Sequence, residues 1–529
     1  LASACGVATG GCMLRLLVYS CGRRRVRSHA LPSALLALLL ATLLLLAGCA
    51  SPSSGHTATP TATATFGPTA TPGPAPTGAR WPTFGYDAAR DGVNPNEAAI
   101  SAASVAGLHR VWQVALPAVA DSAPVYLGGV RLPDGSTRNL LFIMTRDGRL
   151  LAVDAANGGV LWSRQPHGPK ITHSSPVLDP SGHYIYAYGL DGFEHKYAVA
   201  SGDEVTSGGW PVRITRFTAT EKESSDPNLA NGRLYVTTSG YIGDAPPYQG
   251  HVVSISLADA SSNVFNSLCS NVHALLGPQD CPSEQSGIWA RAGVVVDPTD
   301  GNLFVTTGNG PYDAVHDWGD SVLELSPDGS RLLDSWTPAN QAALNDGDVD
   351  LGSMSPALLP AIPNSKTPLL LVQGGKDSLL RLIDRRNLSG RGGPGHVGGE
   401  LQTVNAGCGI FHQPVVWSDP GSGVWLFVPT TCSLSAYRVV TDGSGTTRLQ
   451  AAWSVPIDTT SPVLAGGVLF AASDNLVVGL DPRTGGGLWR SDQSSAGGSI
   501  GGIHWQSPIV IAGRLYCADE EGHLSAYGL

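Results

Sequence analysis

The sequence has few charged residues and no surplus of basic ones. Asp, Glu, Lys and Arg make up 14% of the 529 residues, and the formal net charge is -10. Such a chain lacks the basic surface that recognises phosphate backbones, so we exclude nucleic acid as a partner. The sequence also contains no Cys-x-x-Cys-His motif and no two adjacent cysteines. These absences exclude a covalently attached haem and a vicinal disulfide.

Long apolar runs are missing as well. The longest, from Leu35 to Ala47, is too short to cross a bilayer as a helix. It follows five arginines between positions 15 and 27, and it ends at Leu46-Ala47-Gly48-Cys49. A basic start, a short apolar core and small residues are the parts of a signal peptide. The last four residues resemble a bacterial lipobox, in which the cysteine is lipidated; an uncleaved anchor and a plain secretory signal are the alternatives.

We therefore predict three regions. Residues 1–49 are a signal peptide that ends in the lipidated Cys49. Residues 50–80 consist almost entirely of Ser, Thr, Pro, Ala and Gly, which is typical of a mobile tether. Residues 81–529 contain no second linker and form one large domain. The protein is then exported and held on the extracytoplasmic side by its lipid anchor alone.

What the domain does contain is a repeat. A step of the Ser-Pro-Val type opens a strand eight times, starting at Ser122, Ser175, Asp226, Ala292, Ser355, Gln413, Ser461 and Ser507. A hairpin and a further strand follow each step, most clearly in 146–162 and 473–489. Short apolar runs between turn residues indicate β-strands. Four strands in each of eight units predict an all-β, eight-bladed β-propeller.

The two ends of the domain support this interpretation. The eighth unit stops at Leu529 after three strands, whereas an unattached strand, 108–117, opens the domain. We predict that this N-terminal strand completes the last blade. Tryptophans recur at related positions in the units, including Trp112, Trp162 and Trp489. We expect them to pack between blades.

The repeat resembles that of a known family. In 152–162 and 479–489 it has the form Asp-x-x-x-Gly-x-x-x-Trp, with a small residue two positions before the Asp. This is similar to the repeat of the pyrroloquinoline quinone (PQQ) dehydrogenases, the quinoprotein alcohol dehydrogenases, and the similarity covers essentially all of 81–529. Non-catalytic propellers, including outer-membrane assembly lipoproteins, share the repeat, so by itself it indicates fold rather than chemistry.

Residues 286–384 carry the resemblance further. It implies that Trp289 forms the floor beneath the quinone and that Asn309 coordinates calcium. It puts the catalytic base at Asp348 or Asp350, and Lys376 against the quinone oxygens. The glutamate that completes the family's calcium site has no clean match, and Asp244 is the best candidate for it.

These residue types suit that chemistry. An aromatic floor and a cation hold a planar, anionic quinone, and amide and carboxylate oxygens bind calcium. Each residue also has a structural alternative. Trp289 can be a packing residue, Asn309 a turn residue between glycines, and Lys376 the partner of a nearby aspartate. The segment 346–350 can be a solvated acidic loop or a structural calcium loop.

Cysteine and histidine give further predictions. In an exported chain, Cys269 and Cys281 bracket a polar loop and pair, and Cys408 and Cys432 can pair, which leaves Cys517 over. His173 and His412 precede strand openings, as does His504. They can ring the mouth of the channel as hydrogen-bonded residues or bind a transition metal.

Two functions remain open. The first is an extracytoplasmic, lipid-anchored quinoprotein that oxidises an alcohol or a sugar with PQQ and calcium and passes electrons to a separate acceptor. The second is a propeller without cofactor that serves as a scaffold or binding module for envelope proteins or polysaccharide.

Overall fold

The computed structural model describes residues 78–277 and 279–529. The predicted signal peptide, Cys49 and all but the last residues of the predicted tether lie outside them. Eight sheets form the ring of an eight-bladed β-propeller, which confirms the predicted fold. None of the helices in the described ranges is long and apolar enough to cross a membrane.

Each blade is an antiparallel meander. The strands of blade 1 are Val125–Arg131, Thr137–Met144, Leu150–Asp154 and Val160–Arg164; those of blade 2 are Val177–Leu178, Tyr184–Gly189, Phe193–Ala198 and Val212–Arg213. Blade 3 has Asn228–Ala230, Arg233–Gly240, His251–Ser256 and Ser262–Asn266, with Glu221–Glu223 also paired to its second strand. Blade 4 has Val295–Val296, Leu303–Thr306, Val322–Leu325 and Leu332–Trp336.

The second half of the ring repeats the pattern. Blade 5 has Ala357–Leu358, Leu370–Gln373, Leu379–Asp384 and Gln402–Asn405; blade 6 has Val415–Asp419, Gly423–Pro429, Leu434–Thr441 and Thr447–Val455. Blade 7 has Val463–Ala465, Val468–Ser473, Leu476–Leu480 and Gly487–Arg490. Short helices at Val105–Gly107, Gln341–Asp346, Leu351–Ser353 and Ser494–Ala496 lie in the connections.

Blade 8 closes the ring as the sequence predicts. It contains Ile509–Ile511, Arg514–Ala518 and His523–Gly528, and its outer strand is His109–Ala115 from the start of the domain. His109 pairs with Gly528 and Ala115 with His523. The last blade is thus made from both ends of the domain, which prevents the ring from opening at an unpaired strand.

Apolar packing between blades forms the core. The second strands are buried on both faces, as in Leu303–Thr306, because each sheet is covered by a neighbouring sheet on either side. Indole N–H groups of the outer strands donate to carbonyls of the next blade. Trp112 bonds to Ala155 at 3.3 Å, Trp162 to Val199 at 3.0 Å and Trp489 to Leu108 at 2.9 Å.

A segment between Gly78 and Asn94 closes one end of the channel. Arg80–Trp81 pairs with blade 1, and Val93–Asn94 runs parallel to the first strand of blade 7. Backbone N–H groups of Gly128, Leu178, Val296, Val416 and Leu464 donate to carbonyls of Ala79, Pro82, Ala88, Asp91 and Gly92 at 2.8 to 3.0 Å. Five blades therefore hold this plug, to which residues 78–80 also belong.

Two disulfides staple the loops. Cys269 is joined to Cys281 with an S–S distance of 2.04 Å, and Cys408 to Cys432 with 2.11 Å. Cys517 is buried and forms no disulfide with any cysteine in the described ranges.

Candidate functional site

The candidate site lies at the end of the channel opposite the plug. In an antiparallel four-stranded blade, the connection into the first strand and the turn between the second and third strands lie at the same end. Trp289 and Asp350 belong to connections of the first kind, whereas Asp244, Asn309 and Lys376 belong to turns of the second kind. The fold therefore brings these five positions to one rim.

Asn309 makes two hydrogen bonds to the loop that opens blade 5. Its backbone N–H donates to Oδ1 of Asp350 at 2.7 Å, and its Nδ2 donates to Oδ1 of Asp348 at 2.7 Å. Its carbonyl oxygen Oδ1 is buried, and no donor reaches it among the residues that the structure describes. A buried amide oxygen without a partner is unusual in a folded protein and marks a position that a cation or water would satisfy.

Lys376 neutralises the acidic loop. Its Nζ lies 3.2 Å from Oδ1 of Asp348, contacts Oδ2 of Asp350, and lies 5.6 Å from the ring centre of Trp289. Burial lowers the pKa of Lys376, but the two carboxylates outweigh it and raise the pKa above its ordinary value. The lysine is therefore charged throughout the neutral range.

Asp244 lies at the edge of this group. The hydroxyl of Tyr248 donates to its Oδ1 at 2.9 Å. Burial raises the pKa of Asp244, and the charges of Asp350 and Asp348 raise it further against the lowering effect of the Tyr248 bond. Asp244 is therefore electrostatically coupled to Asp348 and Asp350, the two aspartates of the loop that opens blade 5.

Sequence reasoning missed Asp320, which lies behind the site. It is fully buried, its N–H donates to the carbonyl of Gly308, and its Oδ1 accepts the N–H of Leu351 at 3.0 Å. It therefore ties the segment before Asn309 to the segment after Asp350. Burial raises its pKa to about 7. The only sequence signal is a Gly-Asp-Ser step at the start of a strand, which is too common to single out.

Aromatic rings surround Trp289. Phe411 lies 6.3 Å from it, and Trp505 lies 6.3 Å from it in an edge-on arrangement. Both follow from the repeat, because each stands three residues before the proline that opens a blade. We did not single them out from the sequence.

Comparisons with known proteins agree with the architecture. A family model described as outer membrane protein assembly factor BamB matches residues 98–241. The quinohemoprotein alcohol dehydrogenase from Comamonas testosteroni superposes with a TM-score of 0.61 at 15% identity, over 85% of this chain and 80% of that one. The chain is a PQQ-like β-propeller.

Two further solved structures resemble this PQQ-like propeller. A europium-containing methanol dehydrogenase has a TM-score of 0.61 at 15% identity and covers 85% of this chain and 98% of that one. The quinohemoprotein alcohol dehydrogenase ADHIIG from Pseudomonas putida HK5 has 0.60 at 14%, over 85% and 80% of the two chains. No curated protein matches the sequence significantly. Likeness at this level of identity establishes the fold alone.

The three histidines also lie in this rim of the propeller. The rings of His173 and His504 are 5.9 Å apart, and the His412 ring is 5.0 Å from that of Trp505. Burial lowers the pKa of His173 to about 2 and that of His412 to about 3. Both imidazoles are therefore neutral at physiological pH. Nδ1 of His412 is buried without a hydrogen-bond partner in the described part of the chain.

Proposed function

We propose that the protein is a quinoprotein-type dehydrogenase that oxidises an alcohol or a sugar with PQQ and a calcium ion. The observation that carries the proposal is the meeting of Trp289, Asn309, Asp350 and Lys376 at one rim, with Oδ1 of Asn309 buried and unpaired. An asparagine that only forms a turn does not require two carboxylates and a lysine from the next blade around it.

The residues fit a calcium ion. Calcium takes six to eight oxygen ligands, both amide and carboxylate. In this proposal Oδ1 of Asn309 and the carboxylate of Asp244 bind the ion, and Asp350 stands beside them. The side chain of Asp350 is only 8% exposed, and its two oxygens are engaged by Asn309 and Lys376. Its role is therefore to hold these two residues in position.

The residues also fit a planar anionic ring system. Trp289 supplies an aromatic face, Phe411 and Trp505 bound it, and Lys376 supplies a cation beside it. When bound, PQQ with its metal supplies the two-electron acceptor for the alcohol carbon.

Asp348 is the better candidate for the base. Its side chain is 69% exposed, and Oδ1 contacts Asn309 and Lys376, whereas Oδ2 makes no side-chain contact within the part of the chain that the structure describes. Oδ2 can then accept the hydroxyl proton of a substrate that enters from the open end of the channel. The Lys376 ammonium lies 3.2 Å from the other oxygen of this carboxylate. Electrons would leave through a separate acceptor.

A cofactor titration tests the proposal. Purified protein is titrated with PQQ in the presence and absence of calcium while tryptophan fluorescence is followed, and dye reduction is measured over a panel of alcohols and sugars. We expect saturable, calcium-dependent quenching that is lost in Trp289→Phe. The control is Trp417→Phe, a half-buried tryptophan of blade 6. Quenching that is absent, or equal in both variants, would refute a quinone site at Trp289.

A second function has its own support. The matched family model is described as an outer membrane assembly factor. Lys376 already compensates Asp348 and Asp350 without a metal. If the titration fails, we propose that the propeller is a scaffold that binds envelope proteins, which cross-linking in intact cells followed by identification of the joined proteins would detect.

Both functions share one location in our proposal, the extracytoplasmic side of a membrane, with the lipid on Cys49. Cys49→Ala should abolish incorporation of labelled palmitate and release the protein from the membrane fraction. Cys517→Ala, which changes a buried free thiol, is the control. Unchanged labelling of Cys49→Ala would refute the lipid anchor.

A further inference from the structure

A second polar cluster lies where the ring closes. Asp121 precedes blade 1, His173 precedes blade 2, and His504 and Glu520 belong to blade 8. Ligand atoms of Asp121, His504 and Glu520 all lie within 4.8 Å of one another. Oδ2 of Asp121 is the centre of the cluster, with Nδ1 of His504 at 2.8 Å and Nε2 of His173 at 3.6 Å.

These separations suit a four-coordinate metal. Metal–ligand bonds of about 2.1 Å in a tetrahedral site put neighbouring ligand atoms about 3.4 Å apart. The distances of 2.8 and 3.6 Å lie on either side of that value. Three of the donors, the His504 imidazole and the two carboxylates, are already close to one another, and Nε2 of His173 lies beside Asp121 but outside this group. Two imidazole nitrogens with two carboxylates form a donor set that suits zinc. Asp121 is fully buried, whereas the side chains of Glu520 and His504 are 27% and 41% exposed, so an ion can enter from the mouth.

A cation already occupies part of this space. Nη2 of Arg146 lies 2.9 Å from Oδ2 of Asp121 and 2.8 Å from Oε1 of Glu520. The guanidinium thus bridges the two carboxylates that a metal would join. The side chain of Arg146 is 28% exposed, which lets it move toward solvent when another cation arrives.

A further histidine with an unpaired nitrogen packs on the same indole as His504. His412 is nine-tenths buried, and its Nδ1 has no hydrogen-bond partner among the described residues. Its ring contacts Trp505 at 5.0 Å, and the His504 ring contacts the same indole at 5.0 Å. The channel mouth therefore contains an imidazole nitrogen, Nδ1 of His412, that no hydrogen bond from the described residues satisfies.

We propose that Asp121, His504 and Glu520 bind a zinc ion, and that His173, which lies 3.6 Å from Asp121, turns toward the ion as its fourth ligand and so joins blade 8 to blades 1 and 2. Arg146 is the cation that the ion displaces. This site is separate from the calcium position proposed at Asn309, and it does not depend on the quinone function. Its effect is to reinforce the seam at which the two ends of the domain meet.

Metal binding by the purified, metal-stripped protein tests this. Cobalt(II) is the spectroscopic probe, and zinc is the competitor. We expect one cobalt ion per chain with the visible bands of a tetrahedral complex, displaced by zinc, and a rise in Tm of about 3 °C at a hundredfold excess of zinc over its Kd. His173→Gln and His504→Gln should each weaken binding by about tenfold or more. His523→Gln, a histidine beside Asp519 on the same blade, is the matched control.

A gain-of-affinity variant covers the case in which the histidine variants do not fold. Arg146→Ala removes the competing cation, so it should bind cobalt more tightly than the wild type. Three results would overturn the proposal: no stoichiometric cobalt binding, equal binding in His173→Gln, His504→Gln and the control, or an affinity that Arg146→Ala leaves unchanged or lowers.

Discussion

The backbone N–H of Asn309 donates to Oδ1 of Asp350 across 2.7 Å, although the two residues are 41 positions apart in the chain. This bond joins the end of a blade 4 strand to the loop that opens blade 5. Nδ2 of Asn309 donates to Asp348, and its side-chain oxygen Oδ1 is buried with no partner among the described residues.

Asn309→Ala should remove calcium binding with little loss of stability. The side chain is half-buried and makes one hydrogen bond. We therefore expect the free energy of unfolding, measured without metal, to change by no more than about 1 kcal/mol. Calcium affinity, measured by calorimetry, should fall by about tenfold or more. Asn302→Ala, which removes a comparable bond to Glu324 on the same blade, should leave the affinity intact. An equal fall in both variants would contradict a ligand role for Asn309.

Lys376→Met should destabilise the fold by about 1–3 kcal/mol in urea, because it leaves the buried Asp350 without its cation. The pKa of Lys376 is raised in the folded state, so its contribution is complete below about pH 10.5, the value in the unfolded chain, and is lost as the pH rises through the higher folded value. The difference in free energy of unfolding between wild type and variant should therefore stay constant from pH 7 to pH 10 and shrink above pH 10. The exposed Lys366→Met is the control.

Arg90→Ala should be among the most damaging single changes in the propeller. The buried guanidinium makes five hydrogen bonds, to Thr83, Phe84, Asp226, Pro227 and Ala292. Its removal leaves buried carbonyls unpaired and loosens the plug, which we expect to cost about 3–5 kcal/mol in thermal or urea unfolding. The exposed Arg131→Ala should cost far less. Similar losses in the two variants would mean that the plug does not support the ring.

Glu194→Gln should make stability less dependent on pH. Its carboxyl group faces that of Glu223 between blades 2 and 3, and burial raises the pKa of Glu194 to about 8. Since the unfolded chain releases this proton near pH 4.5, wild-type stability should decline between pH 4.5 and pH 8 as the unfolded state is favoured. The variant should gain of the order of 2 kcal/mol over the wild type between pH 5 and pH 8. The free energy of unfolding in urea is measured as a function of pH for the wild type and the variant. Parallel curves would show that the pKa of this carboxyl group is not raised. The exposed Glu521→Gln serves as the control.

The architecture could be predicted because its signals are local and repeated. Turn residues, apolar strands and an outer tryptophan occur in every unit, so a weak copy in one blade is supported by clear copies elsewhere. The completion of blade 8 by His109–Ala115 followed from counting strands. The plug could not be predicted, since 78–94 has no periodic pattern and its bonds go to blades from residue 128 to residue 464.

Residues of the candidate site could be predicted from the sequence only where a segment resembled a known motif. Trp289, Asn309 and Lys376 lie in such segments, whereas Asp320 and Trp505 lie in ordinary turn sequences. The sequence alone determined the eight blades and their order, because each blade is built mainly from strands that follow one another in the chain. The count of those strands also predicted that the first strand completes the last blade. The tertiary structure alone decided which polar groups meet, as with Asp121 and His504, 383 residues apart. Ring closure brings such groups together, and no local sequence pattern predicts which of them will meet.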